Sequence, residues 1–210
     1  MPKQKYWIGV ALAAALAFLL QAYWVLAGHS TAFDQEIRDA VHGWESPLAT
    51  QALLTITMLG SELVMLPLGV VVVWRLAAAG RGRQAIGLAA AGLGAELVSQ
   101  LLKLAFHRPR PPVFFELAPA ETYSFPSGHA FAASAIYGLL AVGLIEMYPQ
   151  RRTGIAAGAV LLALLLGFSR VYLGYHYPSD VLAGWTCALA WLALTGPPIH
   201  HAGQPGEPRH

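Results

Sequence analysis

Apolar runs long enough to bridge a lipid bilayer recur along this chain, separated by short polar connections. The first covers Tyr6 to Ala27, follows Lys3 and Lys5, and carries Tyr6-Trp7 at one end and Tyr23-Trp24 at the other. A helix crosses hydrocarbon with about 20 residues, and aromatic pairs at both ends suit the two interfaces. A cleaved signal peptide is the rival reading, but its apolar region is about 7–15 residues long. The run here is longer and reads as a retained first helix. From His29 to Gly60 the chain is more polar. Phe33, Ile37, Ala40, Val41 and Trp44 share one helical face, with Asp34, Glu36, Arg38 and Asp39 mostly on the other. That pattern predicts a helix lying in the interface. Leu48–Leu59 is apolar but short, and Pro47 suits a helix start, so the region predicts an interfacial helical hairpin.

Further spans are predicted at Leu63–Ala79, Ile86–Phe106, Ala130–Met147, Gly154–Phe168 and Val181–Thr195, for about six in all. Pro67 predicts a kink without a break. Glycines and alanines between Ala85 and Ala95 predict close helix contacts. The fold class is therefore all-α: a polytopic membrane helical bundle with about six transmembrane helices and an interfacial hairpin after the first. One domain is expected over 1–196, with no internal repeat. The Pro- and Gly-rich stretch 197–210 reads as a disordered tail, and its His200, His201 and His210 as solvated residues.

Composition agrees with this picture. Of 210 residues, 56% are hydrophobic and 11% charged, where soluble domains carry about 25% charged residues. A net charge of +2 gives no reason to expect a nucleic-acid partner. The single cysteine, Cys187, lies in an apolar run and reads as packing. With the amino terminus inside and six spans, inner segments collect eight basic residues (Lys3, Lys5, Arg75, Arg81, Arg83, Arg151, Arg152, Arg209) and outer ones five. By the positive-inside bias, the loop Phe106–His129 and the turn Val171–Asp180 face outward.

Three polar clusters then share that outer side, and charges at such places are functional by default. The first is Lys103 to Pro111, KLAFHRPRP. Lys103 lies on the last turn of its helix, and Pro109 and Pro111 hold Arg110 in an extended segment. A lysine point charge and an arginine fork both suit phosphate oxygens; the alternative is that Lys103 snorkels to the interface. The second is Pro126-Ser127-Gly128-His129 at a helix start. Ser127 is a favoured cap, free amides there bind anions, Gly128 permits close approach, and His129 can pass a proton. A plain cap with an interfacial histidine is the alternative. The third is Ser169 to Asp180, SRVYLGYHYPSD. Arg170 ends a span, His176 falls in the turn, and Asp180 follows where a carboxylate can fix the imidazole tautomer. Alternatively Asp180 serves only as a helix-start charge.

Together these blocks resemble the signature of the type 2 phosphatidic acid phosphatase (PAP2) superfamily, in its bacterial membrane lipid phosphatase form. Lys103 to Arg110-Pro111, Pro126 to His129, and Ser169-Arg170 to His176 to Asp180 match every fixed position of the pattern. The resemblance implies that His176 attacks phosphorus, Asp180 orients it, and His129 protonates the leaving oxygen and then activates water. It implies that Lys103, Arg110, Arg170 and the Ser127 and Gly128 amides bind phosphate, with no metal and no cofactor. The implied activity is a membrane lipid phosphatase passing through a phosphohistidine. Undecaprenyl diphosphate is placed first among substrates, and phosphatidylglycerol phosphate or phosphatidic acid second. The implied location is a bacterial inner membrane, with the site facing the periplasm or exterior.

Two other readings stay open. A lipid phosphotransferase would use the same residues with an acceptor other than water. A metal-binding transporter would use His107, His129, His176 and Asp180, against the repulsion of three nearby cations. Outside the blocks, Glu96 either packs in the bundle or helps hold Lys103, and Glu62 reads as a boundary charge. His107 and Arg108 read as solvated loop. Tyr123 and Phe125 either line a lipid entrance or anchor at the interface.

Overall fold

The structure, a computed structural model, describes residues 2–115, 117–118 and 121–201. Its helices are α1 (Pro2–Leu26), α2 (Thr31–His42), α3 (Pro47–Met58), α4 (Glu62–Ala78), α5 (Gly82–Phe106), α6 (Ser134–Met147), α7 (Arg152–Tyr172) and α8 (Pro178–His201). A π turn, His129–Ala133, leads into α6, and a 3-10 turn, Pro149–Arg151, leads into α7. No strand occurs among the described residues. α8 continues past the boundary expected at 197, to His201; 202–210 and the side chains of His200 and His201 lie outside the described residues.

The long helices are apolar around most of their circumference. Leu12, Leu16 and Leu19 on α1, and Leu93, Leu97 and Leu101 on α5, are exposed on the outside of the bundle. Water would not tolerate such a belt, whereas lipid solvates it. The chain is an integral membrane protein. Lys5–Leu26, Gly82–Phe106, His129–Met147 and Pro149–Tyr172 are long and apolar enough to cross a membrane. α3 and α4 add a fifth span if the pair, bent by 40°, crosses as one. The expected count of about six thus stands at four or five by length and composition among the described residues; α4 alone has 17 residues.

After α1 come the two short helices of the expected hairpin, α2 and α3. α3 packs on α7, where the Tyr172 hydroxyl accepts from the Ser46 amide (3.3 Å) and shares a hydrogen bond with Thr50 Oγ1 (3.0 Å). It then turns at 59–61 into α4, so it belongs to a broken span or re-entrant turn. α4 itself runs through Pro67 unbroken, as expected, and the 40° bend between α3 and α4 lies at 59–61. α2 buries two of its expected polar residues together with its apolar Val41. Asp34, Arg38 and Val41, spaced as one helical stripe, are its buried residues, while Glu36 and Asp39 are exposed. The charged stripe faces protein because it meets the polar end of the bundle, where ionic partners await.

Small residues set the helix spacing. The Trp191 indole lies against Gly94 and donates to Ala91 O at 3.0 Å, so the Gly/Ala-rich part of α5 does take a neighbour closely. α7 and α8 meet at Gly167, where a methyl group would sit 2.6 Å from Val181 Cγ1 and closer still to the Trp185 ring. Cys187 is buried in an apolar cluster with Ala95, Phe131, Ala135 and Ala188. Overpacking of this kind costs about 1–3 kcal/mol. Gly167→Ala is therefore expected to lower the melting temperature in detergent, read by tryptophan fluorescence, and an unchanged melt would show the α7–α8 contact to be slack.

Candidate active site

The site forms where α5 ends, the π turn begins, and α7 turns into α8. α5 stops at His107, whose φ of 48° is left-handed and reverses the chain. Pro109 and Pro111 keep the next residues extended, and Ser124 N donates to Arg108 O at 2.9 Å, pinning the loop's return. The Ser127 amide donates to Asp180 O at 3.0 Å, joining the second block to the third through backbone atoms. The chain then enters the π turn at His129; such turns recur at functional sites. α8 crosses this turn closely, since a methyl at Gly184 would lie 2.7 Å from Ala130 Cβ and 2.8 Å from Ser127 O.

Asp180 has no exposed surface. One carboxylate oxygen, Oδ2, accepts from Ser124 Oγ (2.5 Å) and the Tyr177 amide (2.9 Å), and lies 3.5 Å from His176 Nδ1. The other, Oδ1, accepts from Arg108 Nη1 at 2.5 Å. His176 sits between this carboxylate and Arg110, whose Nη1 is 3.1 Å from Nε2. A guanidinium only donates, so Nε2 must be the unprotonated nitrogen. The proton is then on Nδ1, toward Asp180 Oδ2 and Ser124 Oγ (3.4 Å). This tautomer follows from the hydrogen-bond network. It leaves a lone pair on Nε2, the nitrogen beside the cations.

Arg110 touches that nitrogen, and Arg170 also acts on the imidazole electrostatically. Arg110 is held by Thr122 O (2.6 Å), Thr122 Oγ1 (2.8 Å) and Tyr175 O (2.9 Å). Arg170 donates to Thr57 Oγ1 at 2.9 Å and lies over the Tyr175 ring. Lys103 is buried, with its ammonium against Gly128, so it turns into the protein rather than snorkelling outward. His129 is packed against Gly60 at the α3–α4 bend, and Arg170, His176, Lys103 and Arg110 are close enough to act on it electrostatically. All eight residues singled out in the sequence (Lys103, Arg110, Ser127, Gly128, His129, Arg170, His176, Asp180) thus meet at one end of the bundle. One detail changes. The Ser127 amide is already engaged, and its buried hydroxyl accepts from Ala130 N at 3.4 Å, which leaves the Gly128 backbone beside Lys103 as the free cradle.

The sequence reading missed three residues. Arg108, expected in solvent, is mostly buried and bridges Asp34 (2.7 Å) and Asp180. Asp34 was assigned to the wet face of α2, yet it is 1% exposed. Ser124 was passed over. A lone serine or a charge on an amphipathic helix carries no local signal; only the pairing of distant segments reveals it. Phe125 is neither entrance nor anchor, because it is fully buried against Phe18 and Phe106. Tyr123 stays partly exposed and meets His107 edge-on at 4.6 Å, so His107 lies against Tyr123. Glu96 accepts from Gln100 Nε2 at 2.6 Å, and both Glu96 and Glu62 act on Lys103 electrostatically. Among the described residues no three His, Cys, Asp or Glu side chains come together as metal ligands.

Residues 84–197 match the PAP2 superfamily. The chain belongs to that family. It is 31% identical over 191 residues to phosphatidylglycerophosphatase B of Bacillus subtilis, a match covering 85% of this chain and 89% of that one. Undecaprenyl-diphosphatase BcrC of the same organism is 27% identical over 158 residues, 73% of this chain and 78% of that one. Among solved structures, a transmembrane PAP2 type phosphatidylglycerolphosphate phosphatase from Bacillus subtilis superposes with a TM-score of 0.82 at 28% identity, covering 89% of this chain and 94% of that one. In this PAP2 chain, as in the sequence pattern, the polar blocks converge on one membrane face of a helical bundle.

Burial, reinforced by Arg110 and Arg170 and opposed by Asp180, pulls the His176 pKa from 6.5 to about 3. The folded protein therefore holds His176 neutral where the unfolded chain protonates it. Between about pH 6.5 and pH 3 the unfolded state binds the extra proton, so stability falls as pH falls, by up to about 1.4 kcal/mol per unit. Melting temperature measured from pH 7 to pH 5 is expected to drop more steeply for wild type than for His176→Gln. Equal slopes would show that His176 is not held neutral.

Proposed function

We propose that this PAP2 protein hydrolyses a lipid phosphate or diphosphate through a phosphohistidine on His176. The observation that carries the reading is the His176 imidazole set between Asp180 and Arg110, with its Nε2 lone pair toward Arg110. In the first step Nε2 donates its electron pair to phosphorus while the bond to the lipid oxygen breaks. His129 gives that oxygen a proton. The charge left on His176 is met by Asp180, through the Nδ1 proton. In the second step His129, now neutral, takes a proton from water; the water oxygen bonds to phosphorus and the N–P bond returns its electrons to Nε2. Lys103, Arg110, Arg170 and the Gly128 amide hold the phosphoryl oxygens, where transition-state charge is spread.

Undecaprenyl diphosphate remains the first substrate reading. It rests on an outward-facing site in a bacterial inner membrane, and so on the eight-to-five charge count, with Arg75, Arg81, Arg83, Arg151 and Arg152 at helix ends opposite the site. Phosphatidylglycerol phosphate is the second reading. It is favoured by the near full-length likeness to phosphatidylglycerophosphatase B.

Free phosphate released from mixed micelles of each lipid tests the proposal. His176→Ala is expected to lose at least about a thousandfold in kcat, and wild-type activity in that variant would exclude the mechanism. Transfer of label to an added alcohol with no free phosphate would favour the phosphotransferase instead. With fixed cations around the phosphoryl oxygens, activity is expected to persist in excess EDTA. Loss on chelation, restored by a divalent ion, would overturn the metal-free mechanism.

A further inference from the structure

Arg108 lies outside the three signature blocks' fixed positions, and Asp34 lies outside the blocks altogether, yet the two complete the surroundings of Asp180. Arg108 Nη1 donates to Asp180 Oδ1 (2.5 Å) and to Ser179 Oγ (2.8 Å). Its Nη2 donates to Asp34 Oδ2 (2.7 Å) and Ser30 Oγ (3.4 Å), and its guanidinium lies 4.2 Å over the Tyr177 ring. Asp34 in turn takes the Ser179 amide on Oδ1 (2.9 Å) and the Ser179 hydroxyl on Oδ2 (2.7 Å). One carboxylate on α2 therefore fixes both the arginine fork and the first turn of α8.

From this geometry we infer that Asp34 and Arg108 are positioning residues for the nucleophile, acting through Asp180. The inference rests on the phosphatase reading but names a separate part of the machine. A carboxylate rotates freely about its last bond unless both oxygens are held. Arg108 holds Oδ1, so Oδ2 stays toward Ser124, the Tyr177 amide and His176. The Nδ1 proton then has a fixed acceptor, and the Nε2 lone pair a fixed direction. Without Asp34, Arg108 keeps one carboxylate instead of two and loses its bearing. The groups facing this cluster are Asp34 and Ser30 from the α1–α2 side, Arg110 from the loop, His176 and Tyr177 from the turn, and Ser179 on α8. Asp34 donates nothing to the phosphate cradle, which Lys103, Arg110 and Arg170 form.

The test uses the full chain in detergent micelles with a lipid that the wild type hydrolyses. Asp34→Asn is expected to lower kcat about ten- to a hundredfold, the usual cost of a misdirected reacting group. KM and inhibition by inorganic vanadate are expected to change by less than about twofold, since the cations are untouched. The double variant Asp34→Asn/Arg108→Gln should lose no more than Arg108→Gln alone, because both act through one contact. Nitrogen-15 spectra of His176 supply a readout that needs no substrate: the Nδ1–H tautomer should give way to a mixture in Asp34→Asn. A folded Asp34→Asn protein with wild-type kcat and an unchanged tautomer would overturn the inference, as would additive losses in the double variant. If Asp34→Asn does not fold, Arg108→Lys decides, because an ammonium lacks the fork that spans two carboxylates. Loss of kcat with a mixed tautomer supports the inference, and wild-type values of both overturn it. Failure of the phosphatase reading would look different: wild type and His176→Ala would release the same phosphate, while the tautomer change still reported on Asp34.

Discussion

A carboxylate with no exposed surface governs this end of the bundle. Burying an unpaired charge costs several kcal/mol, so Asp180 must recruit enough donors to replace its water, and four residues from two separate segments supply them. Arg108 and Ser124 arrive from the loop after α5, Tyr177 and His176 from the turn before α8. The loop must fold back over the turn for the charge to be tolerated. The left-handed turn at His107, the extended prolines after it and the return of the chain at Ser124 answer that demand.

Such an arrangement separates two kinds of positive charge. Arg108 is spent on carboxylates, which hold its pKa above the ordinary value even though burial alone would lower it. Arg110 is pulled down, burial being the larger influence and Asp180 only a partial offset. It is paired to carbonyls and a hydroxyl rather than to an acid in contact. Two arginines separated by one proline thus do opposite work. The first stabilises the resting protein, and the second keeps positive potential available for an incoming anion.

Much of this was legible from the sequence, for reasons that differ by residue. The bundle was legible because lipid imposes long apolar runs. The eight blocked residues were legible because their spacing is tied to helix ends. Arg108 was not, since a charge in a loop looks solvated until a distant partner is known. Asp34 was misplaced because the amphipathic pattern of α2 has two faces, and the rule that polar faces water fails beside a polar core. The expected six spans include Val181–Thr195, whereas length and composition single out four helices, or five with the bent α3–α4 pair, and α8 is not among them.

The hydrogen bond from the Ser127 amide to the Asp180 carbonyl has a consequence for how such a protein can diverge. It joins the segment that carries His129 to the one that carries His176, and it involves no side chain. Only proline at position 127 would delete it. Side-chain replacements elsewhere can alter the surroundings of the site without breaking this seam. Inheritance can therefore rework what enters while the two histidines keep their register.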